Sequence, residues 1–336
     1  MSRTHSVVMF FALLCTLVGG RAEAVQRAHV ATYGLDSNTS FNCSVANPCR
    51  FFQAATTVVD PNGEVVVLDS GGYGGVTLTQ SISLIAPTGV YAGISVFPGA
   101  HGVTIATAGV KVVLRGLTIN GQGGNRGINM TNGAKLTVEN CVISNLSNGI
   151  VVATAAIVRV TDTTIRDNSS NGLWLLNGTS ATVTRATISG NPNGGITVDG
   201  NLPGTTTTAD IADSTMVENF HGVRAYSNNL TAVVKVSVHD SRLVQNGGYG
   251  AYTSSASGAA VTLSLSNNIV SNRAIGATGI ASFGAGSKVW ASGNTVSDNG
   301  GAGLLNQGGV FESAGNNAVR NNNPNASLGI TTVPTM

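Results

Sequence analysis

Residues 163–175, TTIRDNSSNGLWL, decide the fold. They read as a short strand with Ile165 at its inward position, an Asn-containing corner, then Gly172 and a second alternating strand through Leu173, Trp174 and Leu175. Variants recur through the C-terminal two thirds of the chain. The inward aliphatic of the short strand recurs as Ile119, Ile143, Ile165, Ile188, Met216, Leu243, Ile269, Val296 and Val319, spaced 22 to 28 residues apart. From Ile165 onward, an Asn follows each of these aliphatics three residues later: Asn168, Asn191, Asn219, Asn246, Asn272, Asn299 and Asn322. Asn tolerates left-handed backbone and its amide can bond a like neighbour, so an Asn column at one corner has a physical cause. A period of this length built from strands is the signature of a solenoid, whose repeats bury their apolar faces only by stacking.

Each coil should hold three strands. The second follows Gly, as in GIVV (149–152), GLWL (172–175), GITV (195–198) and GVRA (222–225). The third is LTV (136–138), VRV (158–160), ATV (181–183), ADI (209–211) or VSV (236–238). Near 264–269 an inserted residue shifts the alternation by one. About ten coils at ~4.8 Å per coil would make a rod on the order of 50 Å long.

The 336 residues include 44 Gly and only 10% charged side chains, which suits short strands and tight turns. Residues 1–24 read as a signal peptide: Arg3, an apolar run from Val7 to Val18, and Ala22-Glu23-Ala24 as cleavage site. Its removal leaves 15 basic and 14 acidic side chains, so neither nucleic acid nor an anionic membrane is expected as partner. The mature chain is expected to be secreted or periplasmic and monomeric. Cys43 and Cys49, six residues apart around a Pro-containing loop, read as a disulfide, and Cys141 as a buried core residue on a strand. Residues 25–63 form an entry segment, irregular over 29–42, with a capping helix over 49–59; residues 64–323 form the solenoid, starting with its first strand at Glu64, and residues 324–336 a polar tail.

The pattern I-x-x-N followed by G-I-x-V resembles the right-handed parallel β-helix repeats of the pectate-lyase-like superfamily and related carbohydrate-binding and sugar-hydrolase repeats. The opening HVATYGLDS, NPCRFFQAA and EVVVLDSGGYGGVTLTQSISL is similar to the front end of exported bacterial β-helix proteins. The resemblance covers roughly Val30 to Asn323 and implies an all-β, right-handed parallel β-helix that binds polysaccharide on an outer strand face.

Alternation turns the x of G-I-x-V outward, which selects Trp174, Thr197, Arg224 and Tyr252, with Asp199 and Tyr226 two residues further on. Trp174 lies two coils from Arg224, about 10 Å away, and its ring face suits a sugar ring. Large exposed aromatics mark interaction sites, so Trp174, Thr197, Arg224, Tyr226 and Tyr252 are the candidate ligand-binding residues. The resemblance also admits a lyase or epimerase acting on uronic-acid polymers. Arg224 would then be the base, with Asp199, Glu218 and His221 nearby. No metal site is expected; only a lyase would call for Ca²⁺, and Asp199 and Glu218 are the acids available to it. The paired acids of pectin hydrolases have no counterpart, since no Asp-Asp dipeptide occurs. A structural or adhesive rod is the third possibility. The charged column Asp162, Arg185, Asp213 and Asp240 reads as a ladder in which Arg185 offsets its acidic neighbours. His239 and Asp240, as strand neighbours, should point to opposite faces.

Overall fold

Sequence periodicity is realised as a parallel β-solenoid in a computed structural model that describes residues 25–256 and 258–333. The leader expected over 1–24 lies outside them. Three parallel sheets of thirteen, eleven and ten strands run the length of the molecule. Each coil contributes one strand to each sheet: for example Ile157–Thr161 to the first, Thr164–Arg166 to the second and Asn171–Leu176 to the third. Inward side chains stack into continuous apolar columns, with Ile165, Ile188, Met216 and Leu243 all fully buried.

Two hydrogen-bonded ladders hold the coils in register. At the corner between the second and third sheets, Asn168 donates through Nδ2 to Oδ1 of Asn191 at 3.0 Å, and the chain continues through Asn219, Asn246, Asn272, Asn299 and Asn322 to Asn325. The backbone N–H of each of these donors bonds the same oxygen, so one amide fixes both corner and spacing. Leu146 begins this column by donating its backbone N–H to Asn168 Oδ1. A second ladder, unforeseen from the repeat, runs at the corner between the first and second sheets. There Ala186 N–H bonds Ser214 Oγ, and Ser214, Ser241, Asn268 and Asn294 each donate a backbone N–H to the next side chain. Cys141 occupies a corner of this kind, two residues after Glu139 ends its strand, rather than a strand. Its thiol bonds the carbonyls of Leu114 and Glu139, and burial pushes it up to about 11, so it stays protonated.

The column of Gly that opens the third-sheet strands is required by space. A Cβ on Gly172 would stand 2.6 Å from Ile188 Cγ2 and 2.7 Å from Gly195 O, inside any real contact. Residues before the ladder positions carry left-handed backbone, including Asp162, Arg185, Glu218 and Asp240.

Several expectations are corrected. Val270, not Ile269, points inward: it pairs with Leu243 and Val296, while Ile269 is 40% exposed. The corner that follows is one residue shorter, which keeps Asn272 in its ladder. The first strand is Arg27–Val30, within the entry segment, and it pairs with Glu64–Val67. Where a helix was expected over 49–59, the chain makes one turn, Phe52–Ala55, after a 3₁₀ segment at Asp36–Phe41. Cys43 and Cys49 form the disulfide, and their backbones bond His29 and Ala31 on the outer edge of that first strand. Beyond residue 323 the tail contributes a last strand, Ile330–Thr332, to the first sheet. His239 Nδ1 lies 2.9 Å from Asp240 Oδ2, because Asp240 turns a left-handed corner instead of continuing the strand. Arg185 binds Asp162 through two nitrogens, at 2.7 and 2.8 Å, which makes the charged column a true ion-pair ladder at that step.

Replacing Asn246 by Ala should cost about 2–4 kcal/mol, since it strands the amide and backbone donors of Asn219 in the buried corner. Urea unfolding monitored by circular dichroism reads this loss directly. A change below about 0.5 kcal/mol, the level of an ordinary surface substitution, would mean the ladder is not a stability element.

Candidate functional site

Candidate residues gather on the outer face of the third sheet because alternation there leaves three columns pointing away from the core. The register places Trp174 beside Thr197, Thr197 beside Arg224 and Arg224 beside Tyr252. A second column holds Leu176, Asp199, Tyr226 and Ser254. The third, at the start of the strands, holds Asn148, Asn171, Gly194, His221 and Tyr249.

Outward direction does not give full exposure. Thr197 is 3% exposed, its hydroxyl donating to Asn171 Oδ1, and Tyr252 is 8% exposed. Trp174, Arg224 and Tyr226 are half-buried. The cover comes from neighbouring side chains packed against one another on the sheet. His221, Tyr249, Tyr252 and Phe283 form one aromatic floor, with ring centroids 4.8 to 6.0 Å apart. Phe220, half-exposed at the corner, extends it against His221 at 4.5 Å. Tyr249 and Phe220 lie before the Gly of the third-sheet strands, outside the x of G-I-x-V and the position two residues on from which the candidates come. The residue immediately before each Gly was the signal that could have found Tyr249.

Beside this floor lies a polar group. The Arg224 guanidinium sits over the Tyr226 ring at 4.6 Å, a favourable cation–π arrangement. Asp199 is 6% exposed, and its Oδ2 accepts from Asn201 at 3.2 Å. Burial holds its carboxyl above the usual range, against the opposing pull of Arg224, the Trp174 indole N–H and Asn201. The indole N–H is close enough to act on that carboxyl but does not meet hydrogen-bond geometry. Trp174 Nε1, Asp199 Oδ1 and Arg224 Nε are therefore all buried without a hydrogen-bond partner, on three consecutive coils. Burial and the nearby Arg224 charge push His221 down to about 4, so its imidazole is neutral at neutral pH. Burial, with smaller effects from neighbouring tyrosines, raises the Tyr252 phenol despite Arg224.

The structure thus brings together Trp174, Thr197, Asp199, His221, Arg224, Tyr226 and Tyr252. It leaves out Glu218, which is exposed at the corner before the strand, eight residues from Tyr226, the register partner of Asp199. Asp199 and Glu218 stand at opposite ends of the third-sheet strands and cannot share a cation. Among the described residues no group of three or more His, Cys, Asp or Glu side chains could hold a metal ion. Among them, too, no helix is long and apolar enough to cross a membrane.

A family profile for a right-handed β-helix region matches residues 88–264, more than half of the chain. The fold is similar to that of pectate lyase Pel9A, at 15% identity and TM-score 0.52, over 88% of this chain and 79% of that one. It is also similar to the A-module of the Azotobacter vinelandii mannuronan C-5 epimerase AlgE4, at 14% identity and TM-score 0.55, over 81% and 89% of the two chains. XylC in complex with xylose aligns at 9% identity and TM-score 0.53, over 80% of this chain and 69% of that one. No curated protein sequence matches the chain.

Two outcomes follow from the electrostatics. Asp199 is more easily ionised in the unfolded chain than in the folded one, so its charge costs stability at neutral pH and the cost disappears as pH falls through its raised folded value. Asp199→Asn should therefore melt higher than wild type at pH ~7 and lose that advantage in acid. His221 has the opposite sign: the unfolded chain protonates first, and stability present above 6.5 is lost as pH falls toward 4. Thermal melts of His221→Gln should show a shallower acid slope in this window, and an unchanged slope would contradict the buried neutral imidazole. At the corner, Glu218→Gly should raise stability by about 1 kcal/mol through relief of the left-handed backbone, leaving any ligand binding unchanged.

Proposed function

The chain belongs to the right-handed β-helix family, and we propose that it binds a polysaccharide along the outer face of its third sheet. Trp174, Thr197, Arg224, Tyr226 and Tyr252 line the proposed site. The observation that carries this reading is the outward set of half-buried Trp174, Arg224 and Tyr226 beside the aromatic floor of His221, Tyr249, Tyr252 and Phe283. A hydroxyl-rich ligand laid on that face would meet ring faces for its C–H surfaces and guanidinium donors for its oxygens. The pectate lyase and the mannuronan epimerase among the structural neighbours are named for polysaccharide substrates, which supports the ligand class. Secretion or a periplasmic location agrees with the Cys43–Cys49 disulfide, which needs an oxidising compartment to persist.

A second reading, a lyase or epimerase for uronic-acid polymers, is favoured by the groups around Arg224. Arg224 would hold the sugar carboxylate. The neutral His221 imidazole, whose Nδ1 accepts the Tyr249 backbone N–H at 3.3 Å, can take the proton from the adjacent carbon only by giving up that bond, a role that still suits it better than the permanently charged Arg224. The protonated Tyr252 phenol can return a proton, either to the departing oxygen as the glycosidic C–O bond breaks or to the opposite face of the same carbon.

Trp174→Ala should weaken glycan-array binding about tenfold, the effect of removing one stacking anchor of roughly 1.4 kcal/mol, with the β circular dichroism preserved. Binding retained at full strength in both Trp174→Ala and Arg224→Gln would remove this face from consideration. Incubation with polygalacturonate and alginate separates the enzymatic reading. An unsaturated product absorbing in the ultraviolet marks a lyase, inversion seen by NMR marks an epimerase, and unchanged polymer leaves binding alone.

A further inference from the structure

The same outer face continues toward the N-terminal end, where it carries a second cationic group that the polysaccharide site around Trp174 does not use. Arg126 opens the third-sheet strand Arg126–Asn132, with His101 opposite it on one side and Asn148 on the other. Its Nη1 donates to Oδ1 of Asn129, a residue 7% exposed, at 2.6 Å, which fixes the guanidinium on the sheet. His101 Nδ1 is buried with no hydrogen-bond partner. Burial and the adjacent Arg126 charge lower the His101 imidazole, so it is neutral at neutral pH, and with Nδ1 covered it offers Nε2 to a ligand. These side chains, with Asn125 and Ser147, line a hollow of about 330 Å³ that contains no carboxylate. An Arg held by an amide, an unpartnered imidazole and no competing acid is the chemistry of an anion receptor.

Register then sets its distance from the first group. Arg126 pairs with Asn148, Asn148 with Asn171, Asn171 with Gly194 and Gly194 with His221, the strand that carries Arg224. Four strand spacings separate them, or about 19 Å along the solenoid. Between the two arginines, the rows that carry them hold Asn148, Asn171 and Gly194, and Val151, Trp174 and Thr197, all uncharged, while the Asp199 carboxyl, 6% exposed, stands in the next row beside Arg224. Along those two rows the face runs cation, uncharged aromatic and amide surface, cation.

We propose that Arg126 and His101 form a second anion-binding subsite for the same ligand, so that the face takes an extended anionic polysaccharide running along the solenoid axis and contacting both Arg126 and Arg224. This rests on the polysaccharide reading of the Trp174–Arg224 site and adds to it the ligand's charge, direction and minimum length. A carboxylated or a sulfated polymer would present the required anions.

Affinity electrophoresis and calorimetry with polygalacturonate, its trisaccharide and decasaccharide, sulfated dextran and neutral xylan test the proposal on the whole chain. The decasaccharide should bind more tightly than the trisaccharide. Arg126→Gln should weaken the decasaccharide about tenfold, as expected for loss of one charge-assisted contact, and leave the trisaccharide within twofold. Arg126→Lys, which keeps the charge without the fork, should recover part of the loss, and circular dichroism verifies that both variants fold. Tighter binding of polygalacturonate than of sulfated dextran identifies the anion as carboxylate, and the reverse order as sulfate. Decasaccharide affinity unchanged in Arg126→Gln but reduced in Arg224→Gln overturns the second subsite and leaves the first site standing. Xylan bound as tightly as the anionic polymers overturns the anionic class. Failure of every polymer to bind, or binding indifferent to Trp174, Arg126 and Arg224 together, overturns both readings.

Discussion

A single amide, repeated, is the constraint on which the molecule depends. In the column from Asn191 to Asn322 each Asn Oδ1 receives two bonds from the preceding coil, one from backbone and one from side chain. A carboxylate could accept both but has no N–H to pass on, and Ser would be too short to reach the next oxygen while serving the backbone. Only an amide is donor and acceptor at once in a plane that matches the strand spacing. The ladder therefore fixes coil-to-coil distance at a place where the backbone itself, turning a corner, has no regular partner. The Gly column one step further on follows from it, since closing the corner this tightly brings the next coil's Ile and carbonyl to where a Cβ would stand.

Because the ladders and inward columns carry the register, the outward positions of the third sheet are released from it. They can be polar, aromatic or charged without loss of fold, and they vary from Val151 to Trp174 to Thr197 to Arg224 in successive coils. Side chains there compensate for one another laterally. Tyr249 and Phe283 meet edge to face, and Ala281, the register partner of Tyr252, is completely covered. Asp199 is the costly member. Holding a carboxyl in a 6% exposed position, raised by burial, is unfavourable for a coil that any small neutral residue would satisfy. Arg224, Trp174 and Asn201 offset part of that cost.

How much of this was legible in the sequence depended on whether a feature is periodic. Inward strand positions alternate and recur, so Ile165, Leu173 and Leu175 and the first Asn column could be read directly. Corners do not alternate. Ile269 reads as the inward residue in place of Val270 because both are aliphatic and the corner after them is one residue shorter, which only the ladder geometry reveals. The second ladder mixes Ser and Asn over the same structural job, so no single letter repeats. The His239–Asp240 contact was rejected by a strand rule that stops applying at a left-handed residue. Side-chain direction was recoverable at Thr197 and Tyr252, but exposure was not, because it is set by the size of the neighbour one coil away.

This division bears on where specificity can reside. A ligand that follows the solenoid axis meets one new outward row every ~4.8 Å, so its recognition is written across coils and each coil contributes one or two side chains. Local motifs are uninformative in such an arrangement: Arg126 and Arg224 are 98 positions apart in the chain, yet they occupy one face. Repeat expansion by whole coils would lengthen that face without disturbing either ladder, whereas a one-residue change inside a strand would turn its outward set inward. Length variation accordingly falls mainly at corners and in the loops between the third and first sheets, as over residues 201–205, which border Asp199. A fold of this kind can therefore change what it binds by substitution on one face while its core remains a stack of Ile, Val and Leu.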